Sequence, residues 1–136
     1  MGQQQLLLLV LGIVIVGLAV VAGINAFQEN QTKSEQDAIV NEGMRIATDV
    51  QAYRLKPDQL GGGGGSFPEN LEDAISNTSG SDTYDTPWGM ISYSKEDPPK
   101  LTLTPDNSSS TAKITISSSG SPTLSKDFGS SSSGSN

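Results

Sequence analysis

Residues 6–27, which read LLLLVLGIVIVGLAVVAGINAF, decide the fold of this chain. The run is apolar apart from three glycines and Asn25, and no charged side chain precedes Glu29. As a helix it would be about 33 Å long, enough to cross the apolar core of a bilayer, which is about 30 Å thick. The sequence therefore predicts a membrane-spanning helix within the first 28 residues.

Two other interpretations of this run are less favoured. A secretory signal peptide has basic residues before its apolar stretch and a small-residue cleavage site after it, and neither stands out here. A helix buried in a soluble core needs a large surrounding domain. Only 34% of the 136 residues are hydrophobic, and a large share of those lie near the N-terminus. A membrane anchor is therefore the preferred interpretation.

The same helix is predicted to continue beyond the apolar run, because no proline occurs between it and Pro57. Since a residue before proline avoids the helical region, we expect one helix from about Gly2 to Leu55. Its first part, 1–28, is apolar all round, and its second part, 29–56, is an amphipathic extension. The apolar residues of the extension recur at helical spacing and predict one buried stripe: Ala38, Ile39, Ile46, Ala47, Val50 and Tyr53.

Residues 57–87 are predicted to form a glycine-rich loop and a short helix. The five glycines at 61–65 lack the lysine and hydroxyl of a phosphate-binding loop, so we interpret them as a flexible connector. Proline and acidic residues then open a short helical pattern at 67–75. The apolar residues of that pattern are expected to face inward: Leu71, Ala74 and Ile75.

Beyond this point the apolar period changes to two, which is typical of half-buried strands. Runs at 88–94, 101–104 and 112–117 show the alternation, and turn-rich segments separate them. The sequence therefore predicts an α+β fold, in which the long helix packs on a small three-stranded antiparallel sheet within 88–128. The tail at 129–136 is almost entirely serine and glycine, and we expect it to be mobile.

Composition argues against several classes of function. The chain has no histidine and no cysteine, which removes the commonest general base, the thiol nucleophile and every disulfide. Its net charge of −7 is opposite in sign to what a nucleic-acid interface requires. We therefore expect no enzymatic activity, no catalytic residue, no cofactor and no nucleic acid as a primary partner.

The order of these segments resembles that of type IV pilins and of the pseudopilins of type II secretion. The segment from Tyr84 to Gly89, YDTPWG, also resembles the Asp-Pro-Trp-Gly stretch that leads into the first sheet strand of major pseudopilins, with Thr86 inserted. The resemblance implies a structural subunit that polymerises through its N-terminal helix into a filament at the cell surface. Its partners would be the membrane before assembly, copies of itself, and the inner-membrane assembly machinery.

This chain departs from the pilin pattern in two respects. Most pilins carry a glutamate near the start of the apolar stretch, which is thought to pair with the N-terminal amine of a neighbour. This chain has Gln3, Gln4 and Gln5 there. Pilin precursors also carry a short basic leader that is cleaved after a glycine, whereas only Met1 and Gly2 precede the glutamines. We expect the chain to be already mature, to be cleaved after Gly2, or to be processed differently.

Close packing would hold such helices together, because lipid is already apolar, and small residues let helices approach. The residues expected to pack in a filament core are Leu6, Leu9, Gly12, Ile13, Val16, Gly17, Val20, Gly23 and Phe27. An equally simple interpretation of the glycines is that membrane helices are rich in glycine.

The alternative function is a monomeric single-pass protein that presents a small extracytoplasmic binding domain. Such anchors usually have flanking Lys or Arg, which the first 28 residues lack.

Two further kinds of site have candidate residues. Some pseudopilins bind calcium near the corresponding strand, and calcium prefers oxygen ligands from loops. The acidic residues around the Trp88 strand are Asp82, Asp85, Glu96 and Asp97, without the spacing of an EF-hand, and exposed acids are usually just solvated. The N-glycosylation pattern occurs at Asn30, Asn77 and Asn107, in a serine-rich chain where chance matches are expected.

Overall fold

The computed structural model describes residues 2–119 and 121–127 of the chain. One helix, α1, runs from Gly2 to Leu55 and confirms the long N-terminal helix that the sequence predicts. The chain divides into two compact units, residues 1–34 and residues 35–136. The first unit is entirely helical over its described residues, and the second contains the rest of α1 and all of the sheet.

The second unit continues with a 3₁₀ turn at Asp58–Leu60 and a one-turn helix, α2, at Leu71–Ala74. A five-stranded sheet follows, in which each strand pairs antiparallel with the next one along the chain. The strands are β1 (Thr83–Thr86), β2 (Gly89–Ser94), β3 (Lys100–Pro105), β4 (Thr111–Thr115) and β5 (Thr123–Asp127). The predicted antiparallel α+β fold is confirmed, but the predicted number of three strands is wrong.

The two strands that the sequence prediction missed form the edges of the sheet. β1 pairs only with β2, and β5 pairs only with β4. β1 contains no buried residue, and the one apolar residue of β5, Leu124, is only partly buried. An alternating pattern marks a strand where one face is buried, so strands held chiefly by backbone pairing lack that signal. The predicted mobile tail, 129–136, lies outside the described residues.

The core of the second unit lies between the amphipathic part of α1 and one face of the sheet. On β2 the alternation is as predicted, because Ile91 and Tyr93 are buried while Met90 is 45% exposed. The buried residues of α1 are Ile39, Val40, Gly43, Ile46, Ala47 and Val50. Strands β3 and β4, the helix α2 and the residue after α2 supply further apolar residues: Leu101, Leu103, Ala112, Ile114, Leu71 and Ile75. Burial of these side chains stabilises the unit by about 1.5–3 kcal/mol for each large one.

Gly43 lies where α1 packs closely on the sheet. A Cβ at this position would lie 2.5 Å from Leu103 Cδ2 and 2.9 Å from Ile114 Cδ1. Real contacts of this kind are longer than 3 Å, so the close approach of helix and sheet depends on the missing side chain. A glycine that costs about 1 kcal/mol in helix propensity is therefore explained here by packing.

The five glycines at 61–65 form the cap of α1, which replaces their interpretation as a flexible connector. A helix leaves its last carbonyls without intrahelical partners, and three of these glycines donate backbone hydrogen bonds to that end. The bonds are Gly63 to Tyr53 at 2.8 Å, Gly65 to Arg54 at 2.8 Å and Gly64 to Lys56 at 3.0 Å. Gly64 adopts a φ of +54°, which a residue with a side chain rarely tolerates. The repeated glycines thus allow the backbone to fold back compactly over the end of α1.

Arg54 fastens this cap to the rest of the unit. Its Nε donates to the carbonyl of Gly65 at 2.8 Å, and its Nη1 donates to the carbonyl of Ser118 at 2.6 Å. The guanidinium carbon also lies 5.1 Å from the centre of the Phe67 ring, within the range of a cation–π contact. One side chain therefore joins the helix end, the glycine cap and the segment that follows β4.

Replacing Ile46 with alanine tests the packing of α1 on the sheet. Ile46 is fully buried, so Ile46→Ala is expected to lower the free energy of unfolding by about 2–5 kcal/mol through lost burial and a cavity. Ile15→Ala removes the same atoms from a side chain that is 58% exposed, and it should leave unfolding of the second unit unchanged. Denaturant titration of the full chain in detergent, followed by Trp88 fluorescence, compares the two. Equal effects would contradict the assignment of the core.

Tyr93 provides a second test, because its hydroxyl is held inside the fold. The hydroxyl donates to the carbonyl of Pro68 at 2.9 Å. Burial, with a smaller contribution from the negative charge of Asp82, raises the pKa of Tyr93 to about 12. The folded state therefore favours the neutral phenol. This contribution to stability is complete below the ordinary value of 10.0 and is lost as the pH rises from there toward 12.

Alkaline titration of tyrosinate absorbance is expected to show a component with a midpoint near pH 12 in the folded protein. Tyr93→Phe keeps the ring and removes the titrating group, so the component should disappear. If the substitution leaves the late component in place, the burial assigned to Tyr93 is incorrect.

Candidate functional site

The first unit presents an apolar helix whose side chains are exposed. Fifteen large apolar side chains between Leu6 and Phe27 are 53–70% exposed, and the first buried residue of α1 is Ile39. The described residues include one helix long and apolar enough to cross a membrane, which is α1, and none of its apolar window is buried. A core helix of a soluble protein would have that window covered by its own chain. This apolar helix, residues 6–27, is therefore the candidate site.

The nine residues predicted to pack in a filament core share one face of this helix. With 100° between successive residues, they fall within an arc of about 140°. Most of the remaining large apolar residues, such as Leu7, Leu8 and Leu11, lie outside that arc and are exposed as well. The structure thus places the predicted residues together on one face, while the apolar surface extends around the whole helix. A helix that is apolar all round needs apolar surroundings on every side.

The three glycines of the apolar helix have no packing role within their own chain. A Cβ at Gly12, Gly17 or Gly23 would meet no atom within 4 Å. This contrasts with Gly43 in the second unit, where the fold leaves no room for a side chain. The glycines of the apolar helix therefore reflect a membrane composition or a contact with other molecules, the two interpretations that the sequence leaves open.

Charge begins immediately after the apolar helix. Glu29 is the first charged residue, and its carboxylate lies 2.7 Å from Lys33 Nζ, one helical turn later. The hydrogen bond from Lys33 and its positive charge lower the pKa of Glu29. Both side chains are largely exposed, so this pair adds little to stability. It marks the residue at which charged side chains begin along α1.

The four acidic residues considered for calcium lie in two different parts of the second unit. Within residues 2–119 and 121–127, no group of three or more acidic, histidine or cysteine side chains is placed to hold a metal ion. Asp82 and Asp85 lie just before and within β1, whereas Glu96 and Asp97 lie between β2 and β3. Glu96 is paired with Lys100 at 2.5 Å, and that contact lowers the pKa of Glu96.

The three asparagines of the glycosylation patterns lie in different parts of the fold. Asn30 lies within α1, where the backbone is helical. Asn107 lies between β3 and β4, and its side-chain amide donates to Glu35 at 2.8 Å. Asn77 is exposed between α2 and β1, with a φ of +79°. Whether any of these residues carries sugar stays a prediction of the sequence pattern.

The Trp-Gly stretch behind the resemblance to pseudopilins forms a tight turn. Thr86 ends β1 and pairs with Gly89, which begins β2, so Pro87 and Trp88 alone make the connection. Gly89 has a φ of +146°, and a Cβ there would collide with the carbonyl oxygen of Thr104. The stretch therefore leads into the second strand of this sheet, and its glycine is required by the fold.

Comparisons of this protein with known protein families, with characterised proteins and with solved structures give no match. The functional inference therefore depends on the chain itself. Its most informative feature is the apolar helix, 6–27, because no other described part of the molecule leaves so much apolar surface uncovered.

A charged substitution tests whether this helix enters a membrane. Leu18→Arg places a cation near the middle of the apolar helix, at a cost of about 2.5–3.5 kcal/mol for insertion. The variant is expected to leave the membrane fraction after an alkaline carbonate wash, while the native chain stays. Asn41→Arg, at an exposed position of α1 in the second unit, is the control and should behave as the native chain does. Intact mass of the membrane-bound chain should include residues 6–27, whereas their loss would identify a cleaved signal peptide.

Proposed function

We propose that this protein is a structural subunit that polymerises through its apolar helix into an extracellular filament of the type IV pilin kind. Before assembly the helix holds the subunit in a membrane. During assembly it exchanges lipid for copies of itself, with the help of an inner-membrane assembly machinery. The observation that supports this proposal is the uncovered apolar surface on every side of an uncharged helix.

The all-round distribution of that surface favours a filament core over a pairwise interface. A dimer covers one face of each helix and would leave the opposite face exposed. A bundle of many copies surrounds each helix with others, and the absence of charge before Glu29 means that no ion must be buried in it. Gly12, Gly17 and Gly23 would permit close contacts, which is where helices in apolar surroundings gain their association energy.

The sheet of the second unit suits a surface in contact with water. One row of cross-strand partners runs over all five strands on the face opposite the core, and none of its side chains is buried. The row contains Thr83, Ser92, Thr102, Lys113 and Ser125. Hydroxyl groups and a lysine are readily hydrated, so we propose that this face forms part of the outer wall of the filament.

The role of close helix contacts is tested with Gly17→Leu. The substitution makes the helix more apolar and has free space within the chain, so membrane insertion should be unaffected. Contacts between copies that depend on a small residue should be blocked. We expect the number of filaments sheared from cells to fall at least about tenfold. They are counted by electron microscopy with an antibody to this chain. Leu18→Ile preserves volume and should leave the count near that of the native chain.

Two results would reject the filament. The first is absence of the native chain from every sheared fibre. The second is a chain that cross-linking shows to be monomeric both in mild detergent and in the membrane. The second result would favour the alternative, a monomeric anchored protein that presents a small extracytoplasmic domain.

A further inference from the structure

The polar side chains that accompany the apolar helix are all uncharged amides. They lie in the first turn of α1, at Gln3, Gln4 and Gln5, and near the other end, at Asn25 and Gln28. All five side chains are exposed, and none makes a side-chain hydrogen bond among the described residues. Each amide therefore has an unused donor and an unused acceptor.

The three glutamines cannot all turn away from neighbouring molecules. Successive helical residues are 100° apart, so three in a row cover an arc of about 200°. An amide placed in apolar surroundings without a partner costs several kcal/mol, and lipid chains offer neither donor nor acceptor. If this turn enters a filament core, it requires polar partners from the molecules that surround it.

Identical copies supply such partners, because an amide is complementary to itself. Its nitrogen donates and its oxygen accepts, so two amides satisfy each other without a second kind of residue. A carboxylate in the same place would repel its copies unless a cation were supplied. Within residues 2–28 the polar side chains on a neighbouring helix are the same glutamines, together with Asn25 and Gln28, which lie about 30 Å or more further along.

We propose that the amides of Gln3, Gln4 and Gln5 hydrogen-bond to side-chain amides of neighbouring copies and so fix the axial position of each subunit in the filament. This inference rests on the proposed function. Leu, Ile and Val surfaces attract without direction, so they permit a helix to slide along its neighbours. A polar residue among apolar contacts selects one register, as a single buried asparagine does in coiled coils. The contact is uncharged and therefore needs no counter-ion.

The test compares two triple variants of the full chain in cells that make the native filament. Replacing Gln3, Gln4 and Gln5 with leucine removes the amides and keeps similar bulk, whereas replacing them with asparagine keeps the amides on shorter side chains. Membrane content of each variant and the late tyrosine titration of Tyr93 verify insertion and folding. Filament yield and helical order in electron micrographs are the readouts.

We expect the leucine variant to insert and fold normally but to give at least about tenfold fewer filaments, or filaments without regular helical order. The asparagine variant should recover most of the yield and the order. Leucine filaments with native yield and helical parameters would overturn this inference alone, and the proposed function would stand. An asparagine variant as defective as the leucine variant would also overturn it, because amide chemistry would then not be what matters. Absence of filaments from the native chain would overturn both proposals.

Discussion

The apolar surface of residues 6–27 constrains everything else about this protein. Fifteen large side chains there are more than half exposed, and covering each of them is worth on the order of 1 kcal/mol or more. The total is comparable to the 5–15 kcal/mol by which a typical domain is stable. Exposing this helix to water is therefore unfavourable. The folded chain does not cover it, and it is long and apolar enough to cross a membrane.

One continuous helix meets two different requirements because its pattern changes along its length. Before Glu29 it has no charge, and its apolar side chains point in all directions. From Ile39 to Val50 it has a single buried stripe against the sheet, and Gly43 lets the two pack closely. Charged pairs such as Arg45 with Asp49, at 3.2 Å, occupy the exposed side of this second part. One continuous helix therefore presents an uncovered apolar surface in its first part and packs on the sheet in its second part.

The sequence predicts those parts of the fold that depend on side-chain pattern. The extent of α1 is confirmed because it depends on a helical sequence that is uninterrupted before Pro57. The burial of Leu71 and Ile75 and the alternation of the central strands are confirmed because each reflects burial of one face. The edge strands β1 and β5 and the glycine cap depend on backbone hydrogen bonds instead, which any sequence of suitable flexibility can make. The nine predicted packing residues do share a face, since helical period alone determines that, but the described residues of the chain do not cover that face.

We propose that copies of this chain cover the apolar helix, and cysteine cross-linking measures whether they do. The chain has no cysteine, so Val16→Cys introduces a single thiol in the apolar helix. Ser119→Cys introduces a single thiol at an exposed position of the second unit. In assembled material, mild oxidation or a short bifunctional thiol reagent is expected to link Val16→Cys chains to each other. A water-soluble maleimide should label Ser119→Cys and spare Val16→Cys. Val16→Cys chains that stay uncrosslinked, whether protected from the maleimide or freely labelled, would contradict the claim.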